Sequence, residues 1–297
     1  MSEFAELKNN LITKCESVDD VFVYLPQLND WQKQEIAFHN TICSTEEEMH
    51  QLNAWRNFYY HRYFRDYLLA LDHSKVILEI GAGTGFDALQ LLQDGAQLVI
   101  SDISQESVKA IKNKADKIVG ENKGQAVFLV ADGANLPLKN DSVDAVYLVA
   151  TLHHFEEPRS LLQEIKRVLK PDSLLVFAME PSRLMMTLTK LGVGFKKLRN
   201  NAGSSVADDN HPGYTDVDFY DLAKKYNFEI VKLKRVWLIL GLWHYGAEFL
   251  YRALKLKKRL SLPLMCEKVL LLIDELLLKI PLLQKLNWHF IVVLKKR

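Results

Sequence analysis

The feature that most constrains the fold of this chain is a glycine-rich turn between a short apolar strand and an amphipathic helix. The segment reads VILEIGAGTGFDALQLL over residues 76–92. Gly81, Gly83 and Gly85 let the backbone pass close to a ligand because no Cβ stands in the way. The helix that follows offers unpaired N–H groups at its start. A strand, turn and helix of this kind are typical of α/β proteins that bind nucleotides.

A regular alternation of apolar runs and helical segments begins at Lys75. The runs are almost continuously apolar, as expected of parallel strands that are covered on both faces. They are VILEI at 76–80, LVI at 98–100, AVFLV at 126–130, AVYLV at 145–149 and LLVFA at 174–178. Helical segments near 86–93, 104–119 and 157–170 separate most of them. Right-handed crossovers then predict a doubly wound parallel α/β sheet.

The pattern changes after the fifth run. Residues 181–215 combine a short apolar helix with a stretch rich in Gly, Asn, Ser and Asp, which predicts a mobile loop or lid. A helix at about 216–226 and the strand FEIVKLKRV follow, and NWHFIVVLKKR is a last strand. A helical insertion at about 238–286 separates these two strands. We expect seven strands in the order 3-2-1-4-5-7-6, with strand 7 antiparallel.

Residues 1–74 are predicted to form an N-terminal helical cap, and residues 75–297 the α/β domain. Thr45 and Glu48 form a capping-box pattern, which predicts the start of a helix that runs to about Ala70. Aromatic residues recur at helical spacing in this helix: Trp55, Phe58, Tyr59, Tyr63 and Tyr67. They indicate core packing or a roof over a pocket. The same two interpretations hold for Tyr60 and His61, which precede the first strand.

Composition excludes several classes of protein. Hydrophobic residues make up 48% of the chain and the net charge is +1, so no overall field favours nucleic acid. Cys15, Cys43 and Cys266 lie far apart, which argues for reduced thiols and against a zinc cluster. The N-terminus lacks an apolar signal segment. We therefore expect a cytoplasmic protein without a metal site.

The charge is unevenly distributed along the chain. Residues 1–74 hold 6 Lys/Arg against 12 Asp/Glu, whereas residues 232–297 hold 14 Lys/Arg against 4 Asp/Glu. A basic, leucine-rich segment is able to rest on an anionic membrane, here the inner membrane face, or to be an ordinary packed helix with a basic surface. His244, Glu248 and Arg252 interrupt the apolar run 236–254, so a membrane-spanning helix is not expected.

The glycine turn departs from the dinucleotide fingerprint. That fingerprint needs a third Gly or an Ala at the position where this chain has Phe86. Three more motifs follow the turn in order: SDIS at 101–104, ADGANLPLKNDSVDAVYLVATLHHFEEP at 131–158 and LLQEIKRVLKPDSLLVFAMEP at 161–181. Together the four motifs resemble the class I S-adenosylmethionine-dependent methyltransferases, in the broad subgroup of quinone-type and small-molecule enzymes.

The resemblance implies a role for several residues in binding S-adenosylmethionine. It assigns Asp102, at the end of the second strand, to the ribose hydroxyls, which is also what a carboxylate at that position favours. It assigns Asp132 to the adenine amino group and Glu79 to the amino-acid end of the cofactor. The full set of expected cofactor-binding residues is Glu79, Gly81, Gly83, Gly85, Asp102, Ile103, Asp132, Gly133 and Ala150.

Methyl transfer from a sulfonium is an in-line displacement and needs a base only if the nucleophile loses a proton. The candidate bases are His211, on the predicted lid, and His153 and His154, which follow the fourth strand. The alternative interpretation of His153 and His154 is a structural one, in which they orient the loop. Asp208, Asp209 and His211 are interpreted as a solvated turn rather than a metal site.

Three function classes remain open at this point. The first is an active methyltransferase acting on a small or lipophilic acceptor, which the basic helical insertion favours over a soluble metabolite. The second is a degenerate relative that binds the cofactor and serves as an assembly partner. The third is a nicotinamide-dependent oxidoreductase, which Phe86 disfavours. The sequence alone names neither the acceptor nor the atom that is methylated.

Overall fold

A computed structural model describes residues 2–25, 27–118, 123–191 and 205–297, without the side chains of 42–50, 189–191, 208 and 252. Cys43 is therefore not described. The middle of the predicted lid, residues 192–204, also lies outside the described residues.

The N-terminal segment contains three helices and a small hairpin. Its elements are α1 (Glu3–Lys14), β1 (Glu16–Val18), β2 (Val21–Tyr24), α2 (Asp30–Leu52) and α3 (Ala54–Leu69). The prediction that residues 1–74 are wholly helical is wrong, because β2 pairs in parallel with a strand more than 100 residues later. A run of four residues carries no local sign of so distant a partner.

The capping-box prediction at Thr45 is also wrong, since α2 passes through that position without a break. In this part of the chain a capping box forms at the start of α2 instead. The Asn29 side chain accepts the Gln32 N–H at 2.8 Å, and the Gln32 side chain accepts the Asn29 N–H at 3.0 Å. The boundary between α2 and α3 falls at Asn53, whose backbone leaves the helical region.

The central part alternates strands and helices as predicted. The elements are β3 (Val76–Ile80), α4 (Phe86–Gln93), β4 (Gln97–Asp102), α5 (Gln105–Ala115), β5 (Gln125–Ala131), β6 (Val143–Val149), α6 (Pro158–Val168) and β7 (Leu169–Pro181). A short 3₁₀ turn, Leu152–His154, follows β6. The strands β3 to β6 are almost entirely buried, which explains why their sequences are continuously apolar.

The C-terminal part contains α7 (Arg183–Leu191), α8 (Val206–Asn210), α9 (Asp216–Tyr226), β8 (Phe228–Val236), α10 (Ile239–Ala253), α11 (Leu264–Leu277), α12 (Pro281–Gln284) and β9 (His289–Lys296). The predicted helical insertion is therefore present between the last two strands. The end of the predicted loop is instead the short helix α8. Among the described residues, no helix is long and apolar enough to cross a membrane.

The sheet has nine strands in the order β1-β2-β5-β4-β3-β6-β7-β9-β8. The seven strands from β3 onward follow the predicted order, and β9 is antiparallel to both β7 and β8. The predicted count of seven strands is wrong because β1 and β2 extend the sheet beyond β5. Val21 and Phe22 of β2 are buried, so the added strand is part of the packed structure.

Helices cover both faces of the sheet. One core layer includes α1, α6 and α9, and the other includes α3, α4 and α5. The carboxyl ends of β3, β4, β5 and β6 meet at one edge. Because the crossovers leave β3 in opposite directions there, a crevice opens at that edge, which is where α/β sheets bind ligands.

Candidate functional site

A cavity of about 810 Å³ lies at the carboxyl ends of the central strands. Its lining comes from the glycine turn, the loops after β4, β5 and β6, and the helices α2, α3 and α10. Eight of the nine residues predicted to bind the cofactor line it: Glu79, Gly81, Gly83, Asp102, Ile103, Asp132, Gly133 and Ala150. The ninth, Gly85, lies behind the turn, facing Ile111. This grouping comes from the strand order, because the residues are spread over 72 positions of the chain.

The glycine turn is held against the loop after β6. Gly81 has a φ of +75°, and a Cβ at that position would lie 2.3 Å from the Thr151 methyl group. Gly83 has a φ of +52°, but no atom lies within 4 Å of its would-be Cβ. Since Gly83 lines the cavity, the absence of its side chain leaves space for a ligand to approach the backbone.

Asp102 ends β4 and is nine-tenths buried. One carboxylate oxygen accepts the Gly83 N–H at 2.9 Å, and the other accepts the Ser104 N–H at 2.8 Å. These two bonds fix the carboxylate beside the glycine turn. A carboxylate oriented in this way at the end of a second strand is suited to accept hydroxyl groups of a ribose.

Asp132 follows β5 and is oriented by two donors. Its carboxylate accepts the Gln32 side-chain amide at 2.8 Å and the Ala134 N–H at 2.9 Å. Gln32 belongs to α2, so this contact joins the N-terminal segment to the cleft. Next to it, Gly133 has no room for a side chain because a Cβ would lie 2.5 Å from Ile80.

Glu79 lies at the end of β3 and is almost completely buried. Its Oε2 has no hydrogen-bond partner among the described residues. Burial, and then the nearby carboxylates of Asp87 and Asp102, raise the pKa of Glu79 well above its usual range. The Tyr147 hydroxyl favours the ionised form, but burial outweighs it. A buried carboxylate oxygen without a partner is costly, so this end of the cavity is suited to a cationic or hydrogen-donating ligand group.

Acidic groups therefore line the glycine turn, and one of them is paired with a histidine of the N-terminal segment. Asp87, in the first turn of α4, contacts His61 Nδ1 at 2.9 Å. His61 belongs to α3 and lines the cavity. The structure thus places His61 in the cleft, which agrees with the interpretation of α3 as a roof rather than with plain packing alone.

The loop after β6 presents His153 to the cavity. His153 Nδ1 lies 2.9 Å from Oε2 of Glu180, a fully buried residue of β7. Glu180 also accepts the N–H groups of Thr151 and Leu152. Burial opposes ionisation, but His153 and these donors outweigh it and lower the pKa of Glu180. The carboxylate therefore fixes both the loop and the imidazole.

His154 also lines the cavity and contacts the cap. Its Nδ1 lies 2.8 Å from Oε2 of Glu35, which belongs to α2. His39 Nε2 lies 3.6 Å from the same oxygen, and Ser205 and Ala207 donate to the carboxylate as well. Although burial alone would raise it, hydrogen bonds from His154 and His39 hold the pKa of Glu35 well below its usual range.

Glu35, His39 and His154 have ligand atoms within 4.8 Å of one another, a donor set that divalent metals accept. Three donors within hydrogen-bond distance, from His154, Ser205 and Ala207, already satisfy the Glu35 carboxylate, and this hydrogen bonding explains the cluster. That the protein has no metal site stays a prediction. The other candidate metal group includes Asp208, whose side chain lies outside the described residues.

His211 is not one of the residues that line the cavity. Its ring packs 4.6 Å from the Tyr214 ring, and its Nδ1 accepts the Gly213 N–H at 2.9 Å. The His211 ring centre lies 6.1 Å from that of His153. His211 therefore stands behind the histidine pair rather than at the cavity surface, and the candidate base residues that the cavity exposes are His153 and His154.

Sequence reasoning missed a second group of cavity residues, on the side opposite the glycine turn. The group consists of Arg56, Trp237, His244, Tyr245 and His289, with methionines 179, 185 and 186 beside it. One signal pointed to it. His244 and Glu248 interrupt the apolar run at a spacing of four, which places them on one face of α10, and both line the cavity.

His289 is the most buried imidazole of this group. Its Nδ1 donates to the Met179 carbonyl at 3.0 Å, and Tyr245 Oη lies 3.2 Å from its Nε2. Burial lowers the pKa of His289 to about 4. A neutral imidazole with its Nε2 turned toward a hydroxyl is able to accept a hydrogen bond, and such a group was not among the predicted bases.

Comparison with known proteins finds similarity in the central part of the chain. Residues 78–177 match the family model of the methyltransferase domain. A stretch of 100 residues is 35% identical to a demethylmenaquinone methyltransferase of Clavibacter sepedonicus, covering 34% of this chain and 39% of that protein. A stretch of 105 residues is 32% identical to an O-methyltransferase of Aspergillus sclerotiorum, covering 34% and 38%. The chain thus spans about two fifths of the length of these relatives.

Solved structures share the fold. A Galdieria sulphuraria structure assigned as a sarcosine dimethylglycine methyltransferase superposes with a TM-score of 0.51 at 13% identity. The superposition covers 78% of this chain and 82% of that one. The α/β class predicted from the strand pattern is confirmed.

Proposed function

We propose that this chain, which carries a methyltransferase domain in residues 78–177, transfers a methyl group from S-adenosylmethionine to a small or lipophilic acceptor. The observation that carries the proposal is that one cavity contains Asp102, the open Gly83 and the buried Glu79, whose Oε2 lacks a hydrogen-bond partner among the described residues. The S-adenosylmethionine sulfonium supplies an activated methyl group. The protein residues then only need to bind and orient the two molecules.

The residues present fit this cofactor. The buried Oε2 of Glu79 lacks a hydrogen-bond donor, and the ammonium group of S-adenosylmethionine would supply one. The open space at Gly83 would let the cofactor contact the backbone. Asp102 would hold the ribose and Asp132 the adenine amino group. Ile103, Gly133 and Ala150 line the same end of the cavity. If the acceptor loses a proton, His153 and His154 are the proposed bases in preference to His211.

Titration calorimetry with S-adenosylmethionine, S-adenosylhomocysteine and NAD tests the cofactor assignment. We expect both adenosyl compounds to bind and NAD not to bind. Binding of NAD alone would favour the oxidoreductase alternative. Formation of S-adenosylhomocysteine in a screen of acceptors with methyl-labelled cofactor separates an active enzyme from a degenerate binding relative.

The acceptor class is supported by the wall opposite the glycine turn. Met179, Met185, Met186, Trp237 and Phe249 give that wall an apolar surface. One similar protein is a demethylmenaquinone methyltransferase, and another is an O-methyltransferase. For this chain we propose a lipophilic acceptor such as a quinone precursor or a lipid-linked molecule, with a soluble metabolite as the rival.

We also propose peripheral contact with an anionic membrane through the helical insertion. On α11, Met265 is 70% exposed and Leu272 is 60% exposed. They belong to a stripe at helical spacing, completed by Val269 and Leu276, which are also exposed. Leu282 in α12 is 74% exposed. Packing of this face within the chain is the alternative, and the exposure of the stripe argues against that alternative.

Exposed lysines stand before, within and after the apolar stripe in the chain. The exposed lysines of the insertion are Lys255, Lys257, Lys258, Lys268, Lys279 and Lys285. Apolar side chains next to lysines match an anionic lipid surface, where each basic residue near the surface adds about 1 kcal/mol. Because α10 lines the cavity and packs against α11, the proposed membrane surface adjoins an element of the site.

Vesicle flotation tests the membrane proposal. Wild-type protein should float with vesicles of phosphatidylcholine and phosphatidylglycerol at low salt, and less so at high salt or without the anionic lipid. The double variant Met265→Glu, Leu272→Glu should not float. A matched control is Val217→Glu, Tyr220→Glu, which charges two exposed apolar residues of α9. Equal flotation of all three, or a dimer that the α11 variant disrupts, would contradict the proposal.

A further inference from the structure

The cavity contains a buried cation that the cofactor assignment does not use. Arg56 of α3 is only 1% exposed and lines the cavity. Among the described lining residues it is the only lysine or arginine, whereas the glycine-turn end is acidic through Glu79, Asp87, Asp102 and Asp132. The cavity therefore holds one buried positive group, which the four acidic residues at the glycine-turn end do not pair.

The guanidinium of Arg56 is incompletely paired among the residues whose side chains the structure describes. Its Nη1 lies 3.9 Å from Oε1 of Glu267, beyond hydrogen-bond distance. Its Nη2 lies 3.1 Å from Nδ1 of His244, and its Nε has no hydrogen-bond partner among the described residues. Burial, followed by the charges of Arg56 and His289, lowers the pKa of His244 well below its usual value, so His244 contacts Arg56 as a neutral ring.

The missing hydrogen-bond partners matter because Arg56 lies among apolar side chains. The guanidinium carbon stands 4.5 Å from the Trp237 ring centre, a cation–π contact. Phe249 and Met185 line the same cavity. A charge among apolar groups interacts strongly with an opposite charge because little water screens it, and a buried arginine normally has a carboxylate in close contact. Glu248, the other carboxylate nearby along α10, is paired with Arg259 at 3.1 Å.

We propose that Arg56 binds an anionic oxygen, a carboxylate or a phenolate, on the methyl acceptor. This inference rests on the proposed function, since it names the class of acceptor for the same cavity. The acceptor would carry one acidic oxygen on an otherwise apolar body, which lies against Trp237 and the methionines. Arg56 thereby selects the acceptor by charge, and Tyr245 and His289 supply neutral hydrogen-bonding groups beside it.

A pair of small probes tests the proposal without knowledge of the natural acceptor. The probes are 2-naphthoate and 2-naphthamide, which have the same ring system and differ in charge. Wild-type protein with S-adenosylhomocysteine present should bind the naphthoate at least about tenfold more tightly than the amide, as measured by calorimetry. Equal affinities, or displacement of S-adenosylhomocysteine by the naphthoate, would overturn the proposal.

Variants assign the preference to Arg56. Arg56→Gln should abolish the difference between the two probes, and the matched control Arg62→Gln, an exposed arginine of the same helix, should retain it. Glu267→Gln removes the competing carboxylate and should strengthen naphthoate binding, which tests the idea even if Arg56→Gln fails to fold. A preference that persists in folded Arg56→Gln, or that Glu267→Gln weakens, would refute the proposal.

The same titrations distinguish this proposal from the proposed function. If wild-type protein discriminates between the probes but does not bind S-adenosylmethionine, the methyltransferase assignment fails and the anion site stands. If S-adenosylmethionine binds and the probes are not distinguished, the cofactor assignment stands and the acceptor class proposed for Arg56 is wrong.

Discussion

The carboxylate of Asp102 accepts the backbone N–H of Gly83 at 2.9 Å, so the acid at the end of β4 fixes the turn that follows β3. The two residues are 19 positions apart: Asp102 ends β4, and Gly83 lies in the turn after the neighbouring strand β3. This bond uses one carboxylate oxygen, and Ser104 donates to the other. A ribose would add hydrogen bonds to an acid that the fold has already oriented.

Replacing Asp102 with Ala should weaken S-adenosylmethionine binding. Each charge-assisted hydrogen bond lost is worth about 1.5–3 kcal/mol, so we expect a loss of roughly tenfold or more. Calorimetry measures it, with Asp116→Ala as the control, because Asp116 is an exposed acid at the end of α5 that pairs with Lys112. Unchanged affinity in a folded Asp102→Ala protein would refute the ribose assignment.

Replacing Glu79 with Gln should stabilise the protein without ligand and weaken cofactor binding. A carboxyl group whose folded pKa is raised contributes stability at low pH, which is lost as the pH rises above the unfolded value of 4.5. The variant lacks this dependence and should unfold at a higher temperature near neutral pH. Its S-adenosylmethionine affinity should fall by about tenfold or more.

The control for Glu79 is Glu229→Gln, an exposed acid that pairs with Arg297 on the far side of the sheet. It should change neither the unfolding temperature nor the affinity appreciably. A Glu79→Gln protein that is less stable than wild type across the pH range would show that the carboxylate has a structural partner.

Two glycine substitutions should separate stability from binding. Gly81→Ala forces a Cβ to within 2.3 Å of Thr151 at a positive φ, and should cost about 2–3 kcal/mol of unfolding free energy. Gly83→Ala meets no atom and should cost only about 1 kcal/mol. Because its methyl group enters the cavity, Gly83→Ala should nevertheless weaken S-adenosylmethionine binding. Denaturant unfolding and calorimetry measure the two effects, and the reverse ranking of stability would contradict the geometry.

Acid should destabilise the protein through His289. The folded pKa is about 4 and the ordinary value is 6.5, so the unfolded state takes up a proton first as the pH falls. The free energy of unfolding should decrease between about pH 6.5 and pH 4, by up to about 3 kcal/mol from this residue. In the His289→Gln variant the free energy of unfolding, measured with denaturant at both pH values, should decrease less. His244, shifted in the same direction, remains in that variant. If the wild type and the variant have the same pH dependence, a group other than His289 takes up the proton on unfolding.

The central strands could be predicted from sequence because each is buried on both faces and therefore continuously apolar. The helix Asp216–Tyr226 and the strand Phe228–Val236 were predictable from a different signal, since a capping residue and turn residues mark their ends. The pair β1 and β2 was not predictable. Its strands are only three and four residues long, and β2 gains its burial from β5, which no local pattern reveals.

The site divides along the same line. Glu79, Asp102 and Asp132 each end a predicted strand, so topology alone brings them together at one edge. Arg56 and His289 are 233 positions apart and both line the cavity because α3 packs against the sheet beside β9. Pairing between a cap helix and a late strand has no local signature. The position of His211 behind the histidine pair was not predictable either, since it depends on the segment around α8.

The attachment of the N-terminal segment has a consequence for the order in which the chain is made. β2 pairs with β5, Asn10 donates to Pro137, Trp31 donates to His154, and Gln32 donates to Asp132. During synthesis the segment leaves the ribosome first, yet its docking surface emerges about a hundred residues later. The cap must wait for the sheet, so the cleft acquires its roof only after most of its floor exists.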